Sequence, residues 1–356
     1  MPKPTFEQLT SVRRLVSPAW SPDGDWFAYL ADTSGRLQLW LQPKGGGFPT
    51  QLTALRDRRV VAFSWSRDGG RIAFTADLKG NETPEVFVMD VVAGRPSWPR
   101  QLTDRPEVEY NLSGWSADGR IVLSANDRLP AEMDPLLLDP VTGEVERLMT
   151  GGLYYAGEVS PSGRWLAVTE LRSNTDSDVH LVDLESGEAR RLTEHAEEAK
   201  VFAGPWATDE SGFYLSTDAG REFSGLAFWS FEKDGWEYVH QPERDVDAVS
   251  VSRGGRYVAY VDNDGGNSVI SILDQQEQRL LRPELPVGVV VSSELHPSEP
   301  RVLLMLATPR ESGNIFEFDF ATGKLRRLEQ SMLGGVAIED LAVPELVSYP
   351  SFDREI

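Results

Sequence analysis

Apolar and polar residues alternate along this chain in short runs, and the runs recur as one phrase. An apolar strand ends in a bulky residue, a tight polar turn follows, and a second apolar strand leaves it. The phrase first reads VSPAWSPDGDWFAYL over residues 16–30, and its turn position recurs at Ser21, Ser66, Ser116, Ser160, Ala207, Ser252 and His296. The steps between these positions lie between 44 and 50 residues. A fixed period in this range marks stacked or radial repeats. Each unit reads as four strands. In the first, residues 14–20 form strand A, Ser21-Pro22-Asp23-Gly24 turns the chain, strand B covers 26–31, strand C 37–41, and strand D ends at Gln51-Leu52-Thr53. Pro presets φ in such a turn, Asp bonds back to the backbone, and Gly accepts a positive φ.

Four strands per period predict an all-β fold, a seven-bladed β-propeller of four-stranded antiparallel blades. The blades fall at about 14–53, 59–103, 109–149, 153–193, 200–240, 246–281 and 288–328, within a propeller spanning 14–329. Units five and six carry weaker strand-D endings, with Val239 and Leu281 in the leucine position. Trp20, Trp65, Trp115 and Trp206 close strand A in four units, where large rings fill the wedge between neighbouring sheets. Each blade is contiguous in sequence. The expectation is therefore no strand exchange between the first and last units, with closure resting on side-chain packing. Residues 1–13 hold the one helix candidate, with Thr5 and Gln8 as a capping box. Residues 330–356 form a C-terminal linker.

Composition narrows the function classes. The 35 basic and 56 acidic residues leave a net charge of −21, which repels phosphate backbones and anionic lipid, so neither nucleic acid nor membrane is an expected partner. With no cysteine there is no disulfide framework, thiolate metal site or cysteine nucleophile. The start lacks a signal-peptide pattern and no run is long enough for a membrane helix, so a cytoplasmic location is expected. No phosphate loop, dinucleotide fingerprint or zinc-binding His pair occurs, and no cofactor or metal is expected.

The phrase VSPAWSPDG looks like the WD-like propeller repeat of the TolB type. From TFEQLTSVRRLVSPAWSPDG to PELVSYPSFDREI, the chain resembles the N-terminal portion of the prolyl oligopeptidase family of serine peptidases, in particular its acylaminoacyl-peptidase branch. The resemblance implies a short helical segment, a propeller, and a linker such as Glu345–Asp353 leading into an α/β-hydrolase domain. It also implies that this propeller caps the active site and selects short or unfolded peptides. One departure stands out: the family continues Asp-Gly, whereas Asp353 runs into Arg354. The hydrolase domain is expected to be missing from this chain. Gly114–Asp118 and Gly266–Ile270 are only half matches to a nucleophile elbow, so no catalytic residue is assigned and the chain alone is not expected to be an enzyme. Expected partners are an α/β-hydrolase domain, a peptide substrate or another protein.

The remaining candidate site is the central channel. Strand A is innermost, and alternate residues should face the axis. The candidates are Glu109, Tyr110 and Asn111 in blade three, Tyr154, Tyr155 and Glu158 in blade four, Asp247 in blade six and Glu294 in blade seven. Two other readings stay open: a free-standing TolB-like scaffold for a protein partner, and a propeller hydrolase using channel carboxylates with a metal.

Overall fold

The computed structural model describes residues 4–347, 349, 350 and 352. Seven antiparallel sheets follow one another in chain order, each built from consecutive strands. Strand A of the successive blades is Leu15–Trp20, Arg58–Trp65, Tyr110–Trp115, Leu153–Val159, Val201–Trp206, Val246–Val251 and Val289–Leu295. Blade two carries one extra short strand, Arg95–Pro96, which pairs back onto its strand C. Strands B and C are apolar on both faces because each blade is sandwiched between two others. Ile121–Ala125 and Asp134–Leu138 are buried throughout.

The A–B turn is built by its own side chains. Ser21 Oγ donates to Asp23 Oδ1 at 2.5 Å and accepts from the Trp26 amide at 3.0 Å, while Gly24 takes φ +73°. Blade two repeats the arrangement with Ser66, Asp68 and the Arg71 amide. In blade five, Ala207 lacks the hydroxyl; Asp209 instead accepts from the amide and hydroxyl of Ser211, and Glu210 adopts φ +58°.

In blade seven, His296 replaces the serine. Its Nδ1 accepts from the Glu299 amide at 2.9 Å, leaving Nε2–H to donate to Gly24 O of blade one at 3.0 Å. This places the residue on the seam where the ring closes. Trp20 packs edge-on against the imidazole at 4.8 Å, and its amide donates to the Glu294 carboxylate at 3.2 Å. Lys44 pairs with Glu299 at 2.9 Å across the same seam.

Closure also has a backbone component, which corrects the expectation of side-chain packing alone. Val12–Arg13 pairs with Met332–Leu333 as a separate antiparallel ribbon. Among the described residues the blades still exchange no strand with one another, because the ribbon lies outside both terminal sheets. Beside it, the helix Phe6–Thr10 carries the full Thr5/Gln8 capping box, and Gln8 Nε2 donates to Gly335 O at 3.2 Å. Both Lys44 and Glu299 keep about a third of their side-chain surface in water, so Lys44→Ala should cost no more than about 1 kcal/mol in urea denaturation. A larger loss would mean that the ion pair carries much of the closure.

Candidate functional site

Every strand A contains a register shift against strand B, between Val16 and Ala19 in blade one, Leu112 and Gly114 in blade three, and Ala156 and Val159 in blade four, for example. A bulge inserts a residue and re-aims the side chains beyond it. Simple alternation therefore fails at the channel, and the eight candidates part company.

Tyr110 is a correction. It is 6% exposed and belongs to the core cluster with Val108 and Trp115. Burial pushes its hydroxyl up to about 12. Its neighbours Glu109 and Asn111 join each other instead, Asn111 Nδ2 donating to Glu109 Oε1 at 3.0 Å. Tyr154 packs edge-on against His180 at 5.5 Å, beside the hydrophobic cluster of blades three and four. Asn111, Tyr155 and Glu158 share one cavity of about 340 Å³. Asp247 is exposed near the start of strand A in blade six, away from that group.

Glu158 and Glu294 are brought together in a channel cavity of about 840 Å³. Burial raises the Glu294 carboxyl to about 8, opposed by the hydrogen bond from the Trp20 amide and reinforced by the charge of Glu158. Glu158 remains accessible to water inside the channel, yet the surrounding ring removes bulk solvent and raises its carboxyl, with Arg67 opposing. The hydroxyls of Ser250, Ser292 and Ser293 find no partner among the described residues.

Two residues outside the expected set close the turn end of this cavity. Arg67 of blade two reaches blade four, donating to Ser160 O and Pro161 O at 2.8 Å and to Val159 O at 3.1 Å. Arg253 of blade six donates to Pro22 O of blade one at 3.1 Å and to Arg67 O at 3.2 Å. Both arginines occupy the second turn position, where the other blades have Pro22, Ala117, Pro161, Thr208 and Pro297. Aligning the seven turns would have exposed these two departures. Burial and the like charge of Arg253 lower the Arg67 guanidinium, while Glu158 and Glu210 oppose that shift. Two carboxyl groups thus sit beneath two guanidiniums that span the axis. Among the described residues, no three His, Asp or Glu side chains are grouped to hold a metal ion, and no helix is long and apolar enough to cross a membrane.

Residues 5–222 match the family model of the TolB beta propeller domain, and residues 151–331 match that of the prolyl oligopeptidase N-terminal beta-propeller domain. No curated protein matches the sequence. Among solved structures, the fold is similar to that of a prolyl endopeptidase (TM-score 0.77, 16% identity, covering 98% of this chain and 54% of that one). It is also similar to a puromycin-hydrolyzing peptidase of Mycobacterium tuberculosis (0.71, 16%, 92% and 55%) and to prolyl oligopeptidase B of Galerina marginata (0.75, 14%, 94% and 52%). The chain spans little more than half the length of these proteins.

Proposed function

The chain belongs to the prolyl oligopeptidase N-terminal β-propeller family, with blades of the TolB type, and from that membership we propose that it is the non-catalytic, substrate-selecting part of a serine peptidase. The nucleophile, its base and the orienting acid would come from an α/β-hydrolase domain. Strand A runs toward the A–B turn, so the ribbon joining Val12–Arg13 to Met332–Leu333 lies on the opposite face. That face supports the reading, because apolar side chains stand uncovered around the ribbon. Phe6, Leu9 and Met332 are exposed there, as are Leu346, Val347 and Tyr349 in the segment that follows. An apolar patch of this kind marks an interaction surface. With Arg67 and Arg253 across the turn end, the channel would open toward the hydrolase, and a folded protein could not thread the ring.

A fluorophosphonate serine probe should leave this chain unlabelled. Adding the α/β-hydrolase domain of an acylaminoacyl-peptidase-like enzyme should give a stable complex that cleaves short peptides, and a Phe6→Asp/Leu346→Asp variant should lose the complex. Labelling of the chain itself, or association indifferent to those substitutions, would reject the proposal. In the complex, Arg67→Ala/Arg253→Ala should raise cleavage of long peptides relative to short ones.

A scaffold role is favoured by a different observation. Phe48 and Trp98 are 92% and 93% exposed, each followed by proline at the same position of neighbouring blades. They lie in the C–D connections, on the A–B side of the disc. Capture of a partner abolished by Phe48→Ser/Trp98→Ser, without any hydrolase domain, would support this second role.

A further inference from the structure

Equivalent backbone hydrogen bonds define which residues meet at each seam between blades. At the seam of blades four and five, Ala207 pairs with Gly212 O within its own turn, as Ser160 does with Trp165 O, and Phe231 pairs with Ser211 O, as Gln275 does with Arg256 O. Trp165 therefore corresponds to Gly212, and Phe231 to Gln275. Trp206 likewise corresponds to Val251, and Trp229 to Leu273.

Four aromatic rings fill the seam between blades four and five. Phe231 lies 4.7 Å from Trp229, 5.3 Å from Trp165 and 6.3 Å from Trp206. Between blades six and seven, Tyr257 meets Phe320 at 4.8 Å. Between blades five and six, the same four places hold Gly212, Val251, Leu273 and Gln275. Gly212 cannot be enlarged, since a Cβ there would lie 1.8 Å from Trp229 O. The buried cluster at this seam shrinks to Leu226, Val246 and Tyr260. A cleft of about 940 Å³ results, with walls that include Phe228, Val239, Val251 and Leu280. Apolar pockets of this size with a few polar groups at the mouth are the usual form of small-molecule sites.

The mouth carries a charge. Asp209 is exposed and lines the cleft, and the Ser211 amide at 3.0 Å and hydroxyl at 2.7 Å engage only its Oδ1. Arg256, also at the mouth, is occupied by Asp274 at 2.7 Å and Glu277 at 3.2 Å. We propose that the cleft between blades five and six binds an aromatic amine, the ring entering the space that tryptophan fills in the neighbouring seam and the ammonium meeting Asp209. This goes beyond the peptidase reading and does not depend on it.

Tryptamine, titrated calorimetrically into the full chain, should bind saturably and at least about tenfold more tightly than indole-3-propionate. Asp209→Asn should erase that preference. Val251→Trp should abolish binding of both compounds and raise the melting temperature by filling the wedge. Should Val251→Trp fail to fold, Val239→Arg at the half-exposed rim should weaken tryptamine at least about tenfold. Absence of saturable tryptamine binding, binding unchanged in the variants that block the cleft, or a preference for the amine retained in Asp209→Asn would overturn the proposal.

Discussion

Trp206→Ala is expected to lower unfolding free energy by about 3–5 kcal/mol, the range for truncating a buried aromatic side chain. The indole is 4% exposed, packs against Phe213 at 4.9 Å with the rings tilted by 48°, and donates from Nε1 to Glu158 O of the preceding blade at 2.8 Å. Its loss opens a cavity at the seam and removes the indole's hydrogen bond to a part-buried carbonyl, so packing and polar losses act together. The same substitution at Trp98, which is 93% exposed, should change stability by no more than about 0.5 kcal/mol. Urea denaturation of both variants measures the contrast. Equal losses would mean that interblade aromatic packing does not hold the ring together.

The contrast follows from columns in the repeat, and columns are what the sequence made legible. Serine, aspartate and glycine at the turn specify the hairpin locally, so the period and four-strand unit could be read without tertiary information. The tryptophan at the end of strand A could be assigned to packing for the same reason. Its direction could not: Trp115 donates to Ser64 O and Trp206 to Glu158 O, each toward the preceding blade, which depends on sheet twist. The channel was only half legible because consecutive residues such as Glu109 and Tyr110 point to opposite sides of a strand, nothing local says which side faces the axis, and Tyr110 proves to lie in the core. Arg67 and Arg253 were hidden differently. Each sits in an exposed-looking turn, and only ring geometry brings blade two to blade four and blade six to blade one. The closing ribbon is two residues per strand, too short to carry any periodic signal. The wedge between blades five and six was written in four separate columns, none informative alone.

Glu294 should subtract stability as pH rises from about 4.5 to 8, and Glu294→Gln should make that decline shallower. The Glu294 carboxyl is raised to about 8 by burial in the channel. In the unfolded chain it titrates near its ordinary value of about 4.3. Across this window the folded state keeps a proton that the unfolded state has released, so each step upward in pH favours unfolding. Because the channel is wetted, the loss should be on the order of 2 kcal/mol, less than the full shift would give. His296 acts with the opposite sign. Burial holds its imidazole below the ordinary value, so its contribution is complete above about pH 6.5 and is lost as pH falls through that value. Glu294→Gln should therefore leave the His296 rise toward about pH 6.5 more visible, followed by a smaller decline from the raised Glu158 carboxyl. Urea unfolding across pH 4–9 gives both curves, and a variant parallel to the native chain would show that Glu294 is not held protonated. Glu158→Gln provides the internal control: removing the neighbouring negative charge should shift the midpoint of the Glu294 decline to lower pH without abolishing it.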